Sequence, residues 1–349
     1  MKPIGPMFAA ALAALCPNVE ADAARGAPDA AKASRGVVEA RNERMHLSVD
    51  ERLRDLLRHP AFAGHARLLL PWDDRGYDEA LPLRQIGSLL PYHSHVEPPV
   101  VVEALNRMID DARRGQEVFH RFYTPDQRRA DLTLENTGLF FFRGRPGAPF
   151  ALIAPGGGFA YIGSVHEGFP YAQQISRQGY NAFVLRYRPG LGEQAATQDM
   201  AAALSWLFRH AAELGIATAG YSVWGSSAGA RMAANIGSDG TVAFGGDALP
   251  KPSAVVMAYT GHTRFTSNEP PTFVVVGDQD GIAPPATMQR RVAALRAQGT
   301  RVEYRRYEGL GHGFGGRVAL RRLVLLGLFP EHARALLRVV VATTSRRVG

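Results

Sequence analysis

The sequence predicts an α/β fold: a mostly parallel, twisted sheet with helices on both faces, preceded by an N-terminal extension. Three observations predict it. From about Leu139 onward, short apolar runs of strand length alternate with runs of helical period, the pattern of strand–helix–strand units. Four glycine-rich segments follow strand-like runs, where open parallel sheets bind their ligands. The composition, 46% hydrophobic and 21% charged over 349 residues, supports a core of ordinary size.

Taken in order, residues 1–23 carry the marks of an export signal. Lys2 precedes an apolar stretch from Met7 to Leu15, and Ala21-Asp22-Ala23 has the small-x-small form of a cleavage site. The expectation is a periplasmic or secreted protein; if the leader is not a signal, the protein is cytoplasmic. Cys16 is the only cysteine, so neither a disulfide framework nor a thiolate metal site is expected. Residues 24–44 read as a linker rich in Ala, Gly, Pro and Asp. Residues 45–137 form a mixed region, an extension or cap, without clear alternation of elements. It holds one amphipathic helix at 100–113, with Val101, Leu105, Met108 and Ile109 on one face.

Residues 138–316 carry the alternation. Strands are expected at 139–142, 150–153, 182–185, 221–224, 254–258, 273–276 and 301–307. Helices are expected at 169–177, 198–214, from 231, and at 286–298. Residues 317–349 form an atypical basic tail, seven Arg against Glu331. Most of the formal charge of +8 sits there, so the body is nearly neutral and a nucleic-acid partner is not expected. No apolar run is long enough to span a bilayer.

Four motifs fall at strand ends. Gly225-Ser226-Ser227-Ala228-Gly229 matches G-x-S-x-G between a strand and a helix. Small residues on both sides permit a sharp turn that pushes the Ser227 hydroxyl into a cleft, with the Ala228 N–H beside the reacting carbonyl. Ser226 occupies the x position and points elsewhere. Pro155-Gly156-Gly157-Gly158-Phe159 offers backbone N–H groups without obstructing side chains. It lacks both the Lys-Ser/Thr of a phosphate loop and a G-x-G-x-x-G fingerprint. Gly277-Asp278-Gln279-Asp280-Gly281 holds two competing acids. Asp280 lies further into the loop, within reach of a neighbouring imidazole, and Asp278 is placed to brace the turn. Gly309-Leu310-Gly311-His312-Gly313-Phe314-Gly315 surrounds a histidine with glycines, so His312 belongs to a loop and not to a core face. Phe159, Tyr161 and His166 follow the glycine loop as possible pocket lining, with ordinary packing as the alternative. The cluster Tyr92-His93-Ser94-His95 beside Pro91 suggests a metal at first sight. No carboxylate stands at a persuasive third-ligand position, so a turn or cap is expected and no metal.

Together these motifs, from about Leu139 to Gly315, resemble the α/β-hydrolase superfamily. The likeness is to bacterial esterases of the acetyl xylan, feruloyl and hormone-sensitive-lipase-like group, and the order Ser227, Asp280, His312 is the superfamily's order. The resemblance implies a serine carboxylic-ester hydrolase with Ser227 as nucleophile, His312 as base and Asp280 as the acid that orients it. It implies Gly157, Gly158 and Ala228 as oxyanion donors, a small-molecule or carbohydrate ester substrate, and no cofactor. Asp199, in the helix before the elbow strand, fits a structural acid. Two departures stand out. Pro155 replaces the histidine that normally braces the glycine loop, and the basic tail replaces a Trp-bearing terminal helix. A serine peptidase of prolyl-oligopeptidase type and a non-catalytic binding protein on the same fold are the alternatives. No propeller repeat is visible for the first, and the second predicts the loss of a triad member.

Overall fold

The computed structural model describes residues 46–315. The leader, the linker and the basic tail read at 1–23, 24–44 and 317–349 lie outside the described residues. The described elements begin with short helices, α1 (Leu53–Leu57) and several 3-10 turns, then α2 (Pro98–Arg113). Strand β1 (Phe119–His120), α3 (Pro125–Ala130), β2 (Gly138–Phe142) and β3 (Pro149–Ala154) follow. Next come α4 (Phe169–Arg177), β4 (Asn181–Arg186), α5 (Gly192–Arg209), α6 (Ala211–Leu214) and β5 (Ala217–Ser226). The series closes with α7 (Ala228–Asp239), β6 (Ala254–Ala258), β7 (Thr272–Gly277), α8 (Pro285–Ala297) and β8 (Val302–Tyr307).

The strands form one eight-stranded sheet in the order β1-β2-β4-β3-β5-β6-β7-β8. From β4 to β8 every pairing is parallel; β2 meets both β1 and β4 antiparallel. The inner parallel strands are short apolar runs because both of their faces are buried, while the edge strand β8 is half-exposed and polar. Period-two geometry divides each run between two cores. Phe140, Phe142, Ile153, Val184, Trp224, Val256 and Val275 face one core. Leu139, Phe141, Leu152, Phe183, Val223, Met257 and Val274 face the other.

The first core is completed by the region 45–137. Leu53, Leu56, Phe62, Leu69, Leu83 and Ile86 join it, as do Val101, Leu105, Met108 and Ile109 of α2. This segment therefore packs against the sheet as a covering layer, where a cap was one expectation. The second core is covered by α5, α7 and α8 through residues such as Leu204, Met232 and Met288.

Several boundaries differ from the sequence reading; the helix read from 231, for example, begins at Ala228. The helix expected at 198–214 begins at Gly192 and divides after Arg209. Its first turn is polar and turned outward, Glu193 pairing with Arg231, so no apolar period marks it. Strand β5 begins four residues before the expected 221, in a half-exposed segment without an apolar run. Strand β1 has only two residues, too few for any alternation to register.

Buried polar groups tie the layers together. Arg186, fully buried at the end of β4, donates to the Leu70 carbonyl at 2.8 Å and pairs with Asp73. Asp199 of α5 accepts from the Arg188 N–H at 2.8 Å, from Arg188 Nε at 2.9 Å and from the Tyr123 hydroxyl at 2.8 Å. Burial pushes the Asp199 carboxyl above its ordinary value, and the Arg188 guanidinium and these hydrogen bonds oppose the rise. The acid joins the β4–α5 connection to the segment after β1, a structural role. Asp199→Ala strands a largely buried guanidinium and a half-buried phenol. We expect it to cost roughly 3–5 kcal/mol, read as a lower urea midpoint at unchanged slope.

Candidate active site

The C-terminal ends of β3, β5, β7 and β8 bring the four motifs together. Ser227 follows β5 with φ 50° and ψ −115° and opens α7. Few non-glycine residues adopt such angles. The neighbours explain how this one does. A Cβ on Gly225 would lie 2.1 Å from the Gly229 carbonyl oxygen, and one on Gly229 would lie 1.9 Å from that of Ala154. Neither position admits a side chain. The Ser227 N–H donates to the Ala258 carbonyl at 2.8 Å, which continues the β5–β6 ladder through the turn. Ser226 is buried against the Tyr259 hydroxyl and away from the site.

The Ser227 hydroxyl lies 2.8 Å from His312 Nε2. His312 Nδ1 lies 2.8 Å from Asp280 Oδ2 and 3.0 Å from Oδ1. Asp280 Oδ1 also accepts the N–H groups of Ile282 at 2.9 Å and Ala283 at 2.7 Å. The carboxylate is thus fixed before it meets the imidazole. With Nδ1–H donated to Asp280, Nε2 has its lone pair free for the serine proton. Asp278 does the bracing: its Oδ1 accepts the Gly309 N–H at 2.7 Å. The Gln279 N–H donates to the Leu310 carbonyl at 2.9 Å. The two loops touch at Gly277, where a Cβ would lie 2.2 Å from the Leu310 oxygen.

The glycine loop stands opposite. Gly157 and Gly158 have φ of 135° and 64°. Among the described residues no acceptor meets the N–H groups of Gly157, Gly158 or Ala228. The Ala228 N–H opens α7, so the positive end of that helix adds to the site.

Pro155 does not leave the loop unbraced. Glu167, fully buried in the π-turn Ser164–Gly168, accepts the Gly156 N–H through Oε2 at 2.5 Å. Its Oε1 accepts the Tyr259 hydroxyl at 2.7 Å. His93 Nε2 lies 2.9 Å from the same oxygen, at ion-pair distance but off the hydrogen-bond line. Burial alone would raise the Glu167 carboxyl. The positive charge of His93 at ion-pair distance, with His166 and the Tyr259 hydroxyl, holds it down to about 2.

The remaining sequence-predicted residues fall as follows. Phe159 is half-buried on the loop, with φ 60°. Tyr161 and His166 are buried, and their polar ends are engaged inside the protein. The Tyr161 hydroxyl accepts from the Tyr92 N–H at 3.1 Å and lies 2.8 Å from His93 Nδ1. His166 Nε2 lies 3.0 Å from the Gly313 carbonyl oxygen. The Tyr92-His93-Ser94-His95 turn is likewise engaged. His95 Nδ1 lies 3.0 Å from Ser94 Oγ, and that hydroxyl donates to the His312 carbonyl at 2.8 Å. Sequence reasoning missed Glu167, Ser94 and Tyr259. The one available signal was Pro155, which left the loop in need of another brace.

Residues 145–249 match the BD-FAE family model. No curated protein matches the chain. Among solved structures, an acetyl ester-xyloside bifunctional hydrolase from Caldicellulosiruptor lactoaceticus is 18% identical, with a TM-score of 0.50 over 65% of this chain and 96% of that one. MGS-M1, an α/β hydrolase enzyme from a Medee basin deep-sea metagenome library, is 23% identical, with a TM-score of 0.47 over 60% and 92%. A thermophilic esterase from Thermogutta terrifontis is 18% identical, with a TM-score of 0.47 over 60% and 87%. The chain has the α/β-hydrolase fold.

Buried imidazoles set the acid response. Burial, and then the charge of His93, lowers His166 to about 4. Burial, with Arg143, lowers His120 to about 4, and burial, with Arg291, does the same for His262. The unfolded chain binds these protons near the ordinary value of 6.5. Their contribution to stability is therefore complete above about pH 6.5 and is lost as the pH falls from there through about 4. Between pH 7 and 5 we expect roughly 1–2 kcal/mol per histidine to disappear. Urea midpoints across this range should fall, and His166→Gln should make the fall shallower.

Proposed function

We propose that this chain is a serine carboxylic-ester hydrolase working through an acyl-enzyme, with short-acyl, carbohydrate or aryl esters as the substrate class. The observation that carries the reading is the continuous line Asp280–His312–Ser227, joined by contacts of 2.8 Å on each side of the imidazole. The BD-FAE match over residues 145–249 supports it, as does the name of the acetyl ester-xyloside bifunctional hydrolase that shares the fold. The leader at 1–23 adds the proposal that the enzyme acts outside the cytoplasm.

Ser227 Oγ attacks the ester carbonyl carbon while its proton passes to His312 Nε2. Asp280 keeps the imidazole in the tautomer that can receive that proton and stabilises the imidazolium that forms. The carbonyl oxygen becomes an anion facing the N–H groups of Gly157, Gly158 and Ala228, donors fixed before the charge develops. The tetrahedral intermediate collapses with cleavage of the carbon–oxygen bond. The leaving alkoxide takes the proton from His312, and the acyl group stays on Ser227. Water then attacks the acyl-enzyme, gives its proton to His312, and the carboxylic acid departs as Ser227 regains its hydrogen. These side chains and backbone donors carry every step without a metal or organic cofactor.

Hydrolysis of a p-nitrophenyl ester series from acetate to decanoate tests the reading. We expect activity on the short members, lost on the order of 10⁶-fold in kcat in Ser227→Ala. Asp280→Asn should lose about 10⁴-fold, because the amide favours the wrong imidazole tautomer. An Asp278→Asn variant that loses as much as Asp280→Asn would reverse the two acids. Equal activity of Ser227→Ala and the wild type would end the proposal.

A further inference from the structure

Glu167 is a fully buried carboxylate that the proposed chemistry does not touch. Burying a charge is costly unless its partners are well placed, and the partners here all belong to the site. Gly156, whose N–H it accepts, immediately precedes the two glycines that face the oxyanion. A Cβ on Gly156 would lie 2.7 Å from Glu167 Oε2 and 2.9 Å from Ser227 Cβ, so the loop is packed between the carboxylate and the nucleophile. The Gly163 N–H closes the loop onto the Gly156 carbonyl at 2.8 Å, and Glu167 follows within the same turn.

The other oxygen reaches the base. Tyr259, which donates to Oε1, sets its ring edge-on to His312 at 5.2 Å and 70°. Tyr259 itself has φ 35°, a strained position that the hydroxyl bond helps hold. His93, against the same oxygen, sits in the turn that grips the His312 backbone. Ser94 donates through its hydroxyl to the His312 carbonyl at 2.8 Å and through its N–H to the Gly313 carbonyl at 3.0 Å. Gly313 has φ 66°, and a Cβ there would lie 2.4 Å from the Tyr92 carbonyl oxygen. The turn and the histidine loop are thus pressed together.

We propose that Glu167, through Gly156 on one oxygen and through Tyr259 and His93 on the other, is a positioning residue that holds the oxyanion loop and His312 in register. It does the work that Pro155 cannot do. The proposal rests on the reading of Ser227 and His312 as nucleophile and base. Glu167→Gln keeps the shape and an acceptor for Gly156 but removes the charge, and it turns an amide donor toward groups that themselves donate. Displacement of the donors by about 1 Å costs about 10²-fold in rate, and it appears in kcat and not in KM because the oxyanion exists only past the ground state.

The experiment uses the full chain and p-nitrophenyl acetate, with active sites counted by complete fluorophosphonate labelling and intact-mass detection. We expect Glu167→Gln to lose about 10²-fold in kcat per labelled site, with KM within about threefold of the wild type. Its affinity for an alkyl boronic acid, which mimics the tetrahedral intermediate, should fall in parallel. Tyr259→Phe and Ser94→Ala, each removing one strut, should show the same pattern at smaller size, and they carry the test if Glu167→Gln does not fold. A lower melting temperature and fewer labelled sites, with kcat per site unchanged in every variant that folds, would reduce Glu167 to a structural role and overturn the proposal. Wild-type protein that neither turns over esters nor labels at Ser227 would instead overturn the underlying reading. Amide hydrogen exchange over residues 155–163 and 309–315 then decides the brace alone: faster exchange in both segments in the variants supports it, and unchanged exchange rejects it.

Discussion

Ser227 stands in a backbone conformation that ordinarily costs on the order of 1–3 kcal/mol for a residue with a side chain, and much of the surrounding structure exists to keep it there. The Ala258 carbonyl takes its N–H, so the turn cannot relax without breaking the β5–β6 ladder. Gly225 and Gly229 let the returning helix pass so close to β5 and β3 that the backbone is locked by contact. The result is a hydroxyl lifted out of the sheet at the positive end of α7. Flattening the turn would recover the strain, but at the cost of a ladder bond and the packing of a helix whose inner face is buried on the sheet.

The same logic of fixing groups in advance runs through the acid and histidine loops. Neither has regular secondary structure, and a glycine-rich loop left to itself samples many conformations. Here the loops restrain one another. Asp280 is held by two N–H groups of its own turn, and Asp278 and Gln279 are laced to the histidine loop through Gly309 and Leu310. The turn at Tyr92–Ser94 closes the opposite side. Preorganisation in this site is therefore a property of three loops and one buried carboxylate, with the sheet as their common anchor.

Much of this was legible in the sequence for a physical reason. Strands β2 to β7 are mostly buried on both faces, so they stand out as apolar runs, whereas the half-exposed β8 shows itself by alternation; the motif residues sit at strand ends, where backbone sterics demand glycine. Ser227, Asp280 and His312 come together as their order and spacing suggest. The illegible parts lacked a periodic or steric signature. The two residues of β1 show no alternation, and the polar first turn of α5 shows no apolar stripe. Glu167 is a lone carboxylate between Val165-His166 and Gly168-Phe169. No local rule separates it from a surface acid; only the tertiary packing that buries it gives it partners. Tyr161 and His166 illustrate the converse. Their closeness to the glycine loop in sequence left a pocket wall and ordinary packing both open, and only the fold shows that both are buried.

Pro155 shows why such a site tolerates change at one position. A proline has no N–H to offer, and its ring cannot reach across a loop. Its carbonyl is nevertheless anchored by the buried Tyr187 hydroxyl at 3.0 Å, and the next N–H in the chain is the one Glu167 accepts. In the proposed mechanism the groups that face the reacting carbonyl are backbone N–H groups, indifferent to which side chain holds the loop so long as something does. A brace can therefore move from the loop's own first residue to a carboxylate twelve positions on, leaving the donors where they were. What the fold must conserve is the position of the Gly157 and Gly158 peptides relative to Ser227, and a buried charge with a few well-aimed partners is stiff enough to set it.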